Sequence, residues 1–204
     1  IVYQTYRKNA GRTDMEKIRE ISIAFQNADL GKKYGFLPFD SFHMTMIQGV
    51  CDEDRKQELW SRFLPLDLPL EKVDDFFEEK YKEVAMLPET KMVFDYIDIT
   101  NNIIIVRFNP QNKQDINNLK NFRDEVSEKL GLRFPDHDSY GFHISIAYQL
   151  WELNEEESRE ICKICDSLNA KLKEKPPVFS LSQPEMTYFD DMFIFNSFRI
   201  PRRN

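Results

Sequence analysis

Apolar residues recur along this chain with two periods, and the switches between the periods mark its elements. Ile1 to Tyr6 predicts a short strand, with a break from Gly11 to Thr13. Thr13-Asp14-Met15-Glu16 has capping-box spacing, and Ile18, Ile21, Phe25 and Ala28 follow it three or four apart. A helix ended by Gly31 is predicted there. Tyr34 to Asp40 holds Gly and Pro and predicts a loop, and Ser41 to Val50 then alternates like a strand. Asp52 predicts the cap of a short helix through Trp60 and Phe63, before Pro65 and Pro69 break the chain. Leu70, Val73, Phe76, Phe77 and Tyr81 predict another helix. Lys91 to Thr100 and Ile103 to Asn109 predict a hairpin turning at Asn101-Asn102. A helix with Ile116, Leu119, Phe122, Val126 and Leu130 on one face stops at Gly131. Leu132 to Tyr140 reads as a polar loop and Phe142 to Leu150 as a second alternating strand. Asn154-Glu155-Glu156-Glu157 opens a further helix, and Val178 to Phe198 supplies two or three final strands.

Strands and helices alternate irregularly, with hairpin-like pairs among the strands. That predicts an α+β fold with antiparallel pairing rather than a doubly wound parallel sheet. No low-complexity linker divides residues 1–204, so one domain is expected. The composition, 41% apolar and 13% aromatic, supports a real core. No apolar run approaches the length of a bilayer span, so no membrane association is expected. The formal net charge of −7 argues against a long nucleic acid partner, which needs a broad basic stripe. It leaves room for a nucleotide or short oligonucleotide held in a local positive pocket. Three cysteines and no recognisable signal peptide point to a reducing, cytoplasmic setting, and a monomer is expected. Cys162 and Cys165 have redox spacing but share a helical apolar stripe with Ile161, Ile164 and Leu168, which predicts buried, inert thiols.

The chemistry lies in an internal echo. Ser41-Phe42-His43-Met44-Thr45-Met46-Ile47 recurs as Gly141-Phe142-His143-Ile144-Ser145-Ile146-Ala147. In a strand, side chains alternate between faces. Phe42, Met44 and Met46 therefore point into the core while His43 and Thr45 point away. Phe142, Ile144 and Ile146 are likewise opposed to His143 and Ser145. Brought together, two such strands make a pocket of two imidazoles and two hydroxyls. One imidazole can take a proton from an attacking water while the other protonates a leaving alkoxide. The hydroxyls can hold the non-bridging oxygens of a phosphodiester. The blander alternative is a pair of buried histidines satisfied by backbone.

This pattern resembles the paired signature of the 2H phosphoesterase superfamily, which includes cyclic phosphodiesterases of RNA metabolism and bacterial RNA-ligase-like 2′,5′ enzymes. The flanks resemble an uncharacterised cyclic-phosphodiesterase-like branch: Leu37 to Thr45, Asp54-Arg55 with the Trp60 region, and Arg133 to His143. The likeness runs from about Leu37 to Leu150. It implies a bilobal, pseudo-two-fold fold in which two antiparallel sheets face a central cleft with helices on the outer faces. It also implies His43 and His143 as the acid–base pair, Thr45 and Ser145 as phosphate-binding groups, and no metal or cofactor. The activity implied is a metal-independent phosphodiesterase acting on a nucleotide-derived diester. That diester would be a 2′,3′-cyclic phosphate, a 2′,5′ linkage or a small cyclic oligonucleotide.

Two rivals remain at this point. The same pocket could bind a nucleotide or RNA end without turning it over. A zinc hydrolase could use His43, His143 and His137, although His137 sits in an Asp-rich loop and reads as solvated. Tyr140 could line the cleft, and Tyr34 and Phe36 could form a lip over substrate or anchor their loop. Parity sends Tyr148 to the core unless a bulge intervenes. Arg107 is expected to reach solvent. Asp190-Asp191 predicts a turn, and Asp74-Asp75 with Glu78-Glu79 a solvated helix face.

Overall fold

Among the described residues, seven strands hydrogen-bond into one antiparallel sheet, and the strand carrying the second motif lies at its centre. The computed structural model describes residues 1–4, 12–181, 183–189 and 193–199. The predicted turn at Asp190-Asp191 lies outside them. The strands are β1 (Val2–Tyr3), β2 (Tyr34–Phe36), β3 (Met44–Thr45), β4 (Thr90–Thr100), β5 (Ile103–Pro110), β6 (His143–Gln149) and β7 (Val178–Leu181). Their order is β1-β3-β6-β5-β4-β7, with β2 also paired to β6. The described α-helices are α1 (Thr13–Gln26), α2 (Leu70–Tyr81), α3 (Lys113–Leu130) and α4 (Glu155–Glu174).

The α+β expectation with antiparallel pairing holds, but the strands do not divide into two separate sheets. β6 is bonded along both edges, to β3 and β2 on one side and β5 on the other. That stitches the two motif-bearing halves into one surface. The sheet nearly closes: Val2 exchanges backbone hydrogen bonds with Glu185 beyond β7, at 2.9 and 2.8 Å. Tyr3 stacks on Phe179 and bonds the Ser180 carbonyl.

Alternation places Phe42, Met44, Met46, Ile144 and Ile146 on one face with no exposed surface. Ile104, Val106 and Phe108 continue that face across β5. Helix α4 packs on β4, α3 on β4 and β5, and α2 on α3. The β4–β5 hairpin turns at Asn101 and Asn102, both left-handed (φ 50° and 65°), as a two-residue loop requires. Helix α4 starts with a formed Asn154–Glu157 capping box. The capping box expected at Thr13 does not form; α1 begins after Arg12 with no side-chain cap. Segment 34–36 is a strand rather than a loop, paired antiparallel to β6 through Tyr34 opposite Gln149 and Phe36 opposite Ala147. The helix expected from Asp52 is two 3-10 turns, Asp52–Asp54 and Gln57–Leu59.

Helix α3 ends at Gly131, whose φ of 69° lies in the left-handed region that favours glycine. A Cβ there would lie 2.7 Å from the Phe63 ring and 2.8 Å from Ser61 Oγ. Gly131→Ala is therefore expected to destabilise the fold by about 1–3 kcal/mol, from strain plus overlap. Chemical denaturation of the variant, with an unchanged m-value, checks this.

Candidate active site

The register of two neighbouring strands decides what the motifs can do. Met44 of β3 stands opposite Ile144 of β6, in an antiparallel pair. One residue either way, the same register sets His43 against Ser145 and Thr45 against His143. Directly opposed residues share a face. Since Met44 and Ile144 are buried together, the two imidazoles and two hydroxyls share the opposite face. They form a quartet with local two-fold symmetry. Diagonal neighbours in such a pair lie about 7–8 Å apart between Cα atoms, room for one tetrahedral phosphorus between the rings.

Both histidines are held in the same way. His43 Nδ1 lies 2.8 Å from the Ser41 carbonyl and His143 Nδ1 lies 2.9 Å from the Gly141 carbonyl. A carbonyl only accepts, so Nδ1 carries the hydrogen and Nε2 of each ring is left for chemistry. The two rings differ in surroundings. His43 is buried and its ring centroid is 3.8 Å from that of Phe195, whereas His143 is partly exposed. Burial chiefly pushes the His43 pKa down to about 4; the bond to Ser41 opposes this and the nearby His143 charge adds to it.

Each motif hydroxyl has a tyrosine beside it. Tyr140 stands beside Thr45, and its ring centroid is 6.3 Å from that of His143. Tyr148 stands beside Ser145. Parity had assigned Tyr148 to the core. Between the Ile104↔Ala147 and Ile105↔Ser145 pairs, however, β6 carries one extra residue, Ile146. This bulge buries Ile146 and Ala147 together and turns Tyr148 onto the quartet face. A second bulge acts on β4, where Phe94 pairs with Phe108 but Ile97 pairs with Val106. It sends Ile97 inward and places Asp98 and Thr100 on the quartet side. The Asn169 side chain bonds both the N–H and the carbonyl of Ile97, satisfying the disrupted ladder.

Arg107, expected in solvent, pairs across β5–β6 with His143. Its guanidinium contacts Asp98 at 3.5 Å and Thr100 at 3.3 Å and lies over the Tyr96 ring. It forms a polar edge to the site on the His143 side. On the His43 side the wall is aromatic, with Phe189 packed behind Phe195 at 4.9 Å between centroids. This segment is pinned by the Gln4 amide on the Phe195 carbonyl and by Arg199 and Tyr188 on Glu78. Asp75 and Glu79 are exposed, as the solvated-face reading expects, and Asp75 and Glu78 also pair with Arg199.

Other expected groups fall elsewhere. Tyr34 and Phe36 line no lip; Tyr34 is buried beside α4 and Phe36 packs against the core, because β2 turns both toward it. His137 is buried rather than solvated, with Nε2 3.0 Å from Asp124. Asp124, His137 and Asp138 are the one group of three metal-capable side chains among the described residues. It includes neither His43 nor His143. Arg133 grips Asp138 with two bonds and also reaches Asp124. The three-histidine zinc arrangement is therefore not assembled. Cys165 is buried, with its thiol pKa pushed up to about 12 by burial, whereas Cys162 is exposed.

Known proteins bear on this geometry. The crystal structure of a conserved protein of unknown function from Agrobacterium tumefaciens superposes with a TM-score of 0.80 at 26% identity, over 91% of this chain and 78% of that one. No curated protein matches the chain. Residues 6–102, which hold the first motif, match 2H-phosphodiest, described as a domain of unknown function (DUF1868). That match spans just under half of the chain and is a likeness of this segment to a 2H-phosphodiesterase-type domain.

Proposed function

We propose that the protein is a metal-independent phosphodiesterase acting on a nucleotide-derived diester, with a 2′,3′-cyclic phosphate the first substrate to test. The observation that carries this reading is the Met44–Ile144 pairing, which sets two anchored imidazoles and two hydroxyls on one face. Phosphorus would sit between the rings, with its non-bridging oxygens accepting from Thr45 and Ser145. Tyr140 and Tyr148 would orient those hydroxyls.

His43, neutral well below pH 7 with Nε2 unprotonated, fits the general base. It would take a proton from water as the water oxygen bonds to phosphorus. His143, the more open ring, would give its proton to the ribose oxygen as the P–O bond breaks. The product is a nucleoside monophosphate, and the two histidines have exchanged roles as proton holders. Water carries the net proton back.

One observation favours a second reading. Phe195 covers His43 closely, and an imidazole so covered could serve a site that binds a nucleotide end and excludes water. A phosphodiester panel read by product mass separates the two, since binding without turnover leaves the binding module. Chelation gives a third outcome to check. Full activity is expected after dialysis against EDTA, because the scheme draws both proton transfers from imidazoles. Loss of activity that zinc restores would reject the scheme.

A further inference from the structure

Arg123 lies on α3, outside both motifs, and is almost completely buried. A buried guanidinium is costly unless its donors are satisfied. Here two backbone carbonyls accept from it, and their positions are informative. One is Met46, the residue after Thr45, and the other is His137, in the loop that leads to the second motif, at 2.8 Å. Its guanidinium carbon also stands 4.6 Å from the centroid of the Tyr140 ring. Tyr140 in turn stands beside Thr45. One side chain thus touches the strand end of the first motif, the approach to the second, and the tyrosine that joins them.

We propose that Arg123 is a positioning residue that fixes the Thr45 hydroxyl for the substrate's phosphoryl oxygen, acting through Tyr140 and the Met46 carbonyl. This rests on reading the quartet as a diester-processing site, and it explains a buried charge that the acid–base scheme leaves unused. Arginine is required because a lysine cannot reach two divergent carbonyls and lie flat against a ring at once. A small displacement of a group that holds the transition state costs rate rather than ground-state affinity.

The test is a double-mutant cycle on Arg123→Lys and Tyr140→Phe. With a nucleoside 2′,3′-cyclic phosphate as substrate, Arg123→Lys is expected to lower kcat by about 10- to 100-fold while KM stays within about threefold. The double variant should be no slower than the slower single variant. Added guanidinium should partly restore Arg123→Ala. The ¹³C shift of the Thr45 methyl supplies a readout that needs no turnover. It should move in each single variant and be insensitive to Arg123 once Tyr140 is Phe. Additive losses, an unchanged kcat, or a Thr45 shift blind to Arg123 would overturn the assignment. If wild type turns over no diester yet the Thr45 methyl still reports the coupling, the phosphodiesterase reading has failed and the positioning link has not.

Discussion

His143→Ala is expected to lower turnover of a nucleoside 2′,3′-cyclic phosphate by about 10²- to 10⁴-fold, the usual contribution of one positioned acid or base. His143 is partly exposed and stands at the start of β6, so its removal should leave melting within a few degrees of wild type. His43 is buried against Phe195, so His43→Gln is the better partner variant because it keeps most of the volume. Affinity for the product nucleotide, measured by calorimetry, should fall far less than turnover in both. Parallel collapse of affinity and rate would mean that the imidazoles bind rather than catalyse. An active double variant would remove them from the mechanism altogether.

The second large effect is on pH. With His43 as base, the acidic limb of kcat/KM should lie near pH 4, where His43 takes up its proton. The ordinary histidine value is about 6.5; burial is the main cause of the difference, and Phe195 lies against the ring. Phe195→Ala admits water to the ring, so the limb should move up toward pH 6 while the protein remains folded. A limb that stays put would deny Phe195 this role. Stability follows the same linkage. Unfolded His43 binds a proton below about pH 6.5, whereas the native ring resists until about pH 4. The unfolded state therefore holds more protons between those values, and stability rises with pH across that window. On falling from pH 7 to 4 this one group should cost about 3 kcal/mol, and His43→Gln should flatten that part of the curve.

Much of the site was legible because strand parity is a local property. Period-two alternation put Phe42, Met44 and Met46 inside and His43 and Thr45 on the other face, as found. The Asn101-Asn102 turn, α3 with its Gly131 stop and the Asn154 capping box follow equally local rules. Ile116 shows the limit, since it sits on the predicted core stripe of α3 yet is half-exposed, while its neighbour Asp115 is the residue buried against β4, accepting from the Lys91 N–H. His137 shows another. A polar loop sequence looks solvated until Asp124 of α3 arrives beneath it.

What the chain alone determined is the pair of His-x-hydroxyl motifs, their alternation and the mixed helix–strand character, because each depends on residues within a few positions of one another. What tertiary structure decided is how those pieces meet. The Met44–Ile144 register, the bulge that turns Tyr148 outward, Arg107 beside His143 and Phe195 over His43 all join segments tens to more than a hundred residues apart. Such contacts depend on which edges pair and where one extra residue interrupts a ladder, and no local period encodes either.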